Sequence, residues 1–99
     1  MGVNRNTEVL VPALNYIASA NSVVQLGGSP HFVDVEEETL GPDAKRLDTY
    51  LSKQCKIING FCYNIKTKKK IIAIIVTHIF GHPANIKDII KLCSKYKIE

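Results

Sequence analysis

The sequence predicts an α/β fold: strands and helices alternate in the order β-α-β-α-β-α around a partial parallel sheet. Three observations predict it. Apolar, β-branched runs at 8–12, 29–35 and 71–76 are bounded by Pro, Gly or polar turn residues, as strands are. Segments with helical periodicity follow each run, opened by the good capping residues Asn15, Asp43 and Asn85. The intervals between strands are long enough for helical crossovers, which join parallel neighbours with a right-handed sense.

Taken in order, EVLVP (8–12) reads as a strand ended by proline. Asn15 opens a small-residue helix from about 16 to 26, and Gly27 and Gly28 supply its left-handed C-cap. SPHFVDV (29–35) alternates more, and Pro30 and His31 at its start mark an edge strand with His31 exposed. Glu36, Glu37 and Glu38 form a solvated turn. Asp43 caps a second helix to about 54, with Leu47, Tyr50 and Leu51 on one face. Residues 56–70 read as an exposed hairpin or loop. IIAIIV (71–76) is the most apolar strand and reads as buried on both faces. Asn85 caps a third helix whose apolar face is Ile86, Ile89, Ile90 and Cys93. Three parallel strands with these helices leave large apolar faces open, so residues 1–99 read as an incomplete part of a larger α/β domain.

The bulk properties narrow the function classes. The chain has 99 residues, room for one small domain, and 45% of them are hydrophobic. Thirteen Lys and Arg against nine Asp and Glu give a net charge of +4, a mild excess. The lysines at 66–70 have no aromatic interleaved with them, so they read as a solvated loop and not as a nucleic-acid reader. Three cysteines without a CxxC pair argue against a disulfide framework and for a reducing compartment. No apolar run has the length of a membrane span, and MGVNRNTEV has no apolar signal core. The expectation is a cytoplasmic chain that binds neither membrane nor nucleic acid.

In open parallel sheets, ligands bind beyond the carboxyl ends of the strands, where the strand order reverses. With the polar second strand outermost, the first and third strands are neighbours and the reversal lies between them. That places Tyr16 and the loop THIFGHP (77–83) around one crevice. A ring there can stack on a flat ligand, or simply pack on the next turn of its own helix. QLGGSP follows a helix and not a strand, so it is a cap and not a dinucleotide fingerprint. His78 and His82 have the i, i+4 spacing of metal pairs on helices, but Gly81 and Pro83 oppose a helix there, so no metal is expected. Cys93 reads as a small core residue. No Gly-x-Ser-x-Gly elbow is present.

The stretch EVLVPALNYIASANSVVQLGGSPHFVDVEEETLGPDAKRLDTYL resembles the DegT/DnrJ/StrS family of pyridoxal-phosphate aminotransferases, which act mostly on nucleotide-linked keto sugars. It carries the family's Val11-Pro12, the Ala20-Asn21 helix, Gly27, Pro30 followed by Phe32-Val33-Asp34, and the Asp43 helix with Leu47. IIAIIVTHIFGHPANIKDIIKLCSKYKI is similar to a second family stretch, with matches at His78, Gly81, Pro83, Ala84 and Ile89. Two departures stand out. Asn15 occupies a position where the family often has Thr, and IINGFCYNIKTKKK is longer than in many members, similar to those acting in nonulosonic-type sugar synthesis.

The resemblance implies the central piece of a fold-type I large domain in a homodimeric enzyme that moves an amino group from an amino acid to a nucleotide-linked keto sugar. It implies pyridoxal 5′-phosphate as cofactor and Tyr16 as the aromatic that stacks on its ring. It assigns no catalytic residue within these bounds. The family places its Schiff-base lysine, the acid beside the pyridine nitrogen and the phosphate-binding segment outside residues 1–99, so the isolated chain is expected to be inactive. The alternative reading is a non-catalytic binding or interaction module.

Overall fold

The computed structural model describes residues 2–99. Its strands are β1 (Thr7–Pro12), β2 (Ser29–Val33), β3 (Cys55–Ile58), β4 (Phe61–Asn64) and β5 (Lys70–Ile74). Its helices are α1 (Ile17–Gln25), α2 (Ala44–Gln54) and α3 (Ile86–Tyr96), with a 3₁₀ turn at Ile79–Gly81. The strands form one mixed sheet in the order β2-β1-β5-β4-β3. β1 lies parallel to both β2 and β5, and β4 runs antiparallel to β5 and to β3.

The α/β class and the parallel trio are as the sequence predicts, with β2 outermost and β1 beside β5. The sheet is larger than predicted. The hairpin expected at 56–70 forms, as β3 and β4, but it joins the main sheet through the Cys62–Ile71 and Tyr63–Lys70 pairs. The physical reason is the apolar Ile71: a buried central strand needs a partner on each edge, and β4 supplies one with Cys62 fully buried. The third strand is also shorter than 71–76, ending at Ile74. Beyond β4, the backbone of Glu99 takes the next place on β5: its N–H donates to Ile72 O at 2.9 Å, and its carbonyl accepts from Ile74 N at 2.8 Å.

α2 and α3 cover one face of the sheet, over Leu10, Val33, Cys62 and Ile71, with Leu47, Leu51, Leu92 and Tyr96 completing that core. α1 covers the other, where Val23 meets Val9, Val11, Ile72 and Ala73. The buried face of α3 is Ile89, Leu92 and Tyr96, rotated from the predicted one; Ile90 is exposed and Ile86 and Cys93 are half-buried. The reason is the apolar pair the prediction left out: Leu92 and Tyr96 join the core with Leu47 and Leu51 of α2, while the Tyr96 hydroxyl and Lys95 Nζ each reach Asp48 Oδ1 at 2.7 Å.

The caps follow the sequence with one shift. Asp43 accepts from Arg46 N at 2.9 Å and Asn85 accepts from Asp88 N at 3.4 Å. At α1 the N-cap is Tyr16, with no side-chain cap bond, because Asn15 Oδ1 is engaged by the N–H of Tyr16 at 2.8 Å. Gly27, at φ +83°, and Gly28 return their N–H groups to Val24 O and Val23 O, the paired bonds of a left-handed helix terminus. Among the described residues, no helix is long and apolar enough to cross a membrane.

Candidate functional site

The order β2-β1-β5 reverses the chain's progress at β1: α1 carries it to one side, and the path through α2, β3 and β4 returns it on the other. The carboxyl ends of β1 and β5 therefore diverge into loops that leave a crevice between them. A cleft of about 190 Å³ lies there, lined by Leu14, Asn15 and Tyr16 after β1 and by Thr77, His78, Ile79 and Phe80 after β5. The predicted meeting of Tyr16 with the 77–83 loop is the one the structure makes.

Tyr16 is 78% exposed, so its ring is not part of the α1 core. The reason is local. Residues 13–16 leave the sheet at its carboxyl end, and α1 begins only at Ile17, which leaves the ring at the mouth of the cleft. Asn15 Oδ1 is taken by the Tyr16 N–H, so the amide Nδ2 points the other way; it is buried and has no hydrogen-bond partner among the described residues. An unmatched buried donor costs about 1–3 kcal/mol. This orphan sits directly beside the exposed ring.

Across the cleft, His78 is held by its neighbour in space: Ala84 N donates to Nδ1 at 3.0 Å. His82 is not among the lining residues and ends the 3₁₀ turn with its N–H on Ile79 O at 2.9 Å. Phe80, which the sequence reading did not single out, is 82% exposed and held at φ +50°, a left-handed conformation uncommon for a bulky residue. The available signal was an aromatic before Gly81 in the loop after the strongest strand. The cleft is thus largely apolar with few polar groups, the usual make-up of a small-molecule site. An exposed ring, an orphaned amide donor and apolar walls fit a flat heteroaromatic ring bearing oxygens. Among the described residues, no Lys, Asp or Glu lines the cleft.

The other singled-out residues lie elsewhere. His31 is not simply exposed as expected: it is half-buried, with Nδ1 2.8 Å from Glu8 Oε2 and Nε2 3.0 Å from the Tyr50 hydroxyl. The lysine run is not wholly a solvated loop either. Lys69 Nζ donates to Ser29 Oγ at 2.6 Å, and Lys70 Nζ stands 3.2 Å over the ring of Phe61 on the preceding strand β4. Cys93 is half-buried against the core, and all three cysteines are free.

Comparison with known proteins gives this cleft a context. The chain is 35% identical over 92 residues to GDP-perosamine synthase of Escherichia coli O157:H7, an alignment that covers 93% of the chain and 21% of that protein. It superposes on an aminotransferase of Brucella abortus with a TM-score of 0.79 at 23% identity, over 98% of the chain and 24% of that structure. It also superposes on the PLP-form of a protein described as a sugar aminotransferase from Streptococcus pneumoniae, with a TM-score of 0.69 at 24% identity, over 94% of the chain and 20% of that structure. These two likenesses show a shared fold. The chain spans about a fifth of the length of the relatives it matches. The family model of the DegT/DnrJ/EryC1/StrS aminotransferases matches residues 1–99, and this chain belongs to that family.

Proposed function

We propose that residues 1–99 are the central part of the large, cofactor-binding domain of a pyridoxal-phosphate-dependent aminotransferase. In this reading the enzyme works as a homodimer and moves an amino group from an amino acid to a nucleotide-linked keto sugar. The observation that carries the reading is Tyr16, an exposed ring at the carboxyl end of β1, where the strand order reverses and a cleft opens. Family membership and the GDP-perosamine synthase relatives support the substrate class.

When bound, the cofactor supplies an electron sink for the carbon attached to the transferred nitrogen. The chain's own residues do the rest of what falls to them. Tyr16 offers a flat π-face that holds a conjugated ring by stacking, and Leu14, Ile79 and Phe80 offer apolar surface beside it. Asn15 Nδ2 lacks an acceptor among the described residues and is offered to one from a ligand. Among the described residues, the lining holds neither a lysine to carry the cofactor nor a carboxylate to keep a pyridine nitrogen protonated. On this reading, residues 1–99 position the ring and the remaining chemistry is supplied from outside them, so the isolated chain is inactive.

The test uses the full-length gene product that carries this segment. It is expected to hold pyridoxal 5′-phosphate and to aminate a nucleotide-linked keto sugar, and Tyr16→Ala is expected to weaken cofactor retention about tenfold. Unchanged retention in Tyr16→Ala, or amino transfer by residues 1–99 alone, overturns the reading.

A further inference from the structure

The cleft has two walls, and only the Tyr16 wall has a role so far. The other carries one side chain whose hydrogen-bonding state the fold itself dictates. A backbone N–H can only donate, so His78 Nδ1, 3.0 Å from Ala84 N, must be the accepting nitrogen of its ring. The ring proton then sits on Nε2, at the edge turned away from Ala84. Ala84 is buried, so its N–H has no water to turn to if His78 adopts the other tautomer. Gly41 packs against Ala84 from behind, where even an added Cβ would lie 2.7 Å from the Ala84 Cβ, so the donor has little room to move.

His78 is itself exposed and lines the cleft with Thr77 and Phe80. The other polar groups of the lining are the Asn15 amide and the Tyr16 and Thr77 hydroxyls, and the hydroxyls can rotate, so a donor of fixed tautomer decides which way round a ring ligand lies. We infer that His78, locked by Ala84 N–H as the Nε2–H tautomer, is a ligand-binding donor that orients the phosphorylated pyridine ring stacked on Tyr16 by hydrogen-bonding an acceptor on that ring. The inference rests on the function proposed above.

The experiment uses the full-length gene product and pyridoxamine 5′-phosphate, which has no carbonyl with which to bond a lysine covalently, so its affinity reports non-covalent contacts. Nitrogen-15 NMR of the histidine rings is expected to place the His78 proton on Nε2 before ligand is added, and to show that N–H shifting when pyridoxamine 5′-phosphate is titrated in. A proton on Nδ1, or an unshifted Nε2–H in the saturated protein, overturns the inference without need of any variant. By calorimetry, His78→Phe is expected to bind pyridoxamine 5′-phosphate about tenfold more weakly, and His78→Gln, which keeps a donor, within about twofold of the parent. Equal affinity in His78→Phe overturns the role of His78 and leaves that of Tyr16 standing. Equal affinity in Tyr16→Ala removes the stacked ring, and both readings fall.

Discussion

Glu8 on the central strand β1 and His31 on the edge strand β2 are joined across the sheet, with Oε2 2.8 Å from Nδ1. They stand diagonally: Glu8 pairs with Ser29, and His31 is two residues further along on the same face. The Glu8 side chain is 4% exposed and accepts two more bonds, from Asn64 Nδ2 at 3.0 Å and Thr67 Oγ1 at 2.5 Å. One carboxylate thus ties β1, β2, β4 and the loop before β5 together, with Tyr50 of α2 closing the far side of His31.

The state of Glu8 makes stability depend on pH. Burial alone would raise its pKa, but the hydrogen bonds from Thr67, Asn64 and His31, together with the His31 charge, outweigh it and hold the carboxyl below its ordinary value. A lowered folded pKa stabilises above the ordinary carboxylate range, and that contribution disappears as pH falls through the folded value. Urea unfolding followed from pH 7 downward is expected to show a loss of stability below about pH 4.5, the ordinary value for Glu. Glu8→Ala is expected to flatten this dependence. At pH 7 the same change leaves Asn64 and Thr67 without an acceptor and is expected to cost about 2–4 kcal/mol.

Gly41 links the two loops at the carboxyl edge. A Cβ there would stand 2.7 Å from Ala84 Cβ and 3.2 Å from Thr39 Oγ1. Gly41→Ala is expected to destabilise by about 1–3 kcal/mol, measured by thermal or urea unfolding, because the buried Ala84 has nowhere to retreat. The displaced Ala84 also disturbs its bond to His78, so broadened His78 ring signals are expected in the same variant.

Asp43 starts α2 through its bond from Arg46 N. Asp43→Ala is expected to cost about 0.5–2 kcal/mol, while Asp43→Asn, which keeps an accepting oxygen, is expected to cost less. Chemical denaturation of both variants separates the cap bond from a general effect of the substitution.

Cys55 and Cys62 meet on adjacent strands of the hairpin. The bond to the Cys62 thiol, followed by burial, pushes the Cys55 thiol up from its ordinary value, and Cys62 is wholly buried. Both are therefore expected to resist iodoacetamide at pH 8 in the folded chain and to react at ordinary thiol rates in denaturant, followed by mass spectrometry. Rapid native labelling of Cys62 would show that β4 opens away from β5.

The hairpin and α3 show where reading the sequence stops. Residues 56–70 carry local signals for a turn, Asn59-Gly60 among them, and the hairpin was legible from those. That β4 joins β5 depends on Cys62 meeting Ile71, a pairing between two segments whose local signals do not mention each other. On α3, four apolar positions at helical spacing suggested a face, and the neighbouring one, with Leu92 and Tyr96, is the face that packs into the core with Leu47 and Leu51 of α2. Tyr16 was legible because a strand end followed by a small-residue helix fixes a loop's place in an α/β sheet. The tautomer of His78 and the posture of Phe80 were not, since they depend on Ala84 and on backbone angles set by the folded loop.

By itself the sequence determined the α/β class, the parallel trio with β2 outermost, the caps at Asp43 and Asn85, and the crevice where Tyr16 meets the loop after β5. Each of these follows from local propensity, periodicity and the handedness of crossovers. The tertiary structure alone decided that the β3–β4 hairpin joins the sheet beside β5, which helix face is buried, the Glu8–His31 tie and the nitrogen that carries the His78 proton. Those depend on pairing and hydrogen bonding between residues far apart in the chain, where the partner that satisfies a buried group is known only once the chain has folded.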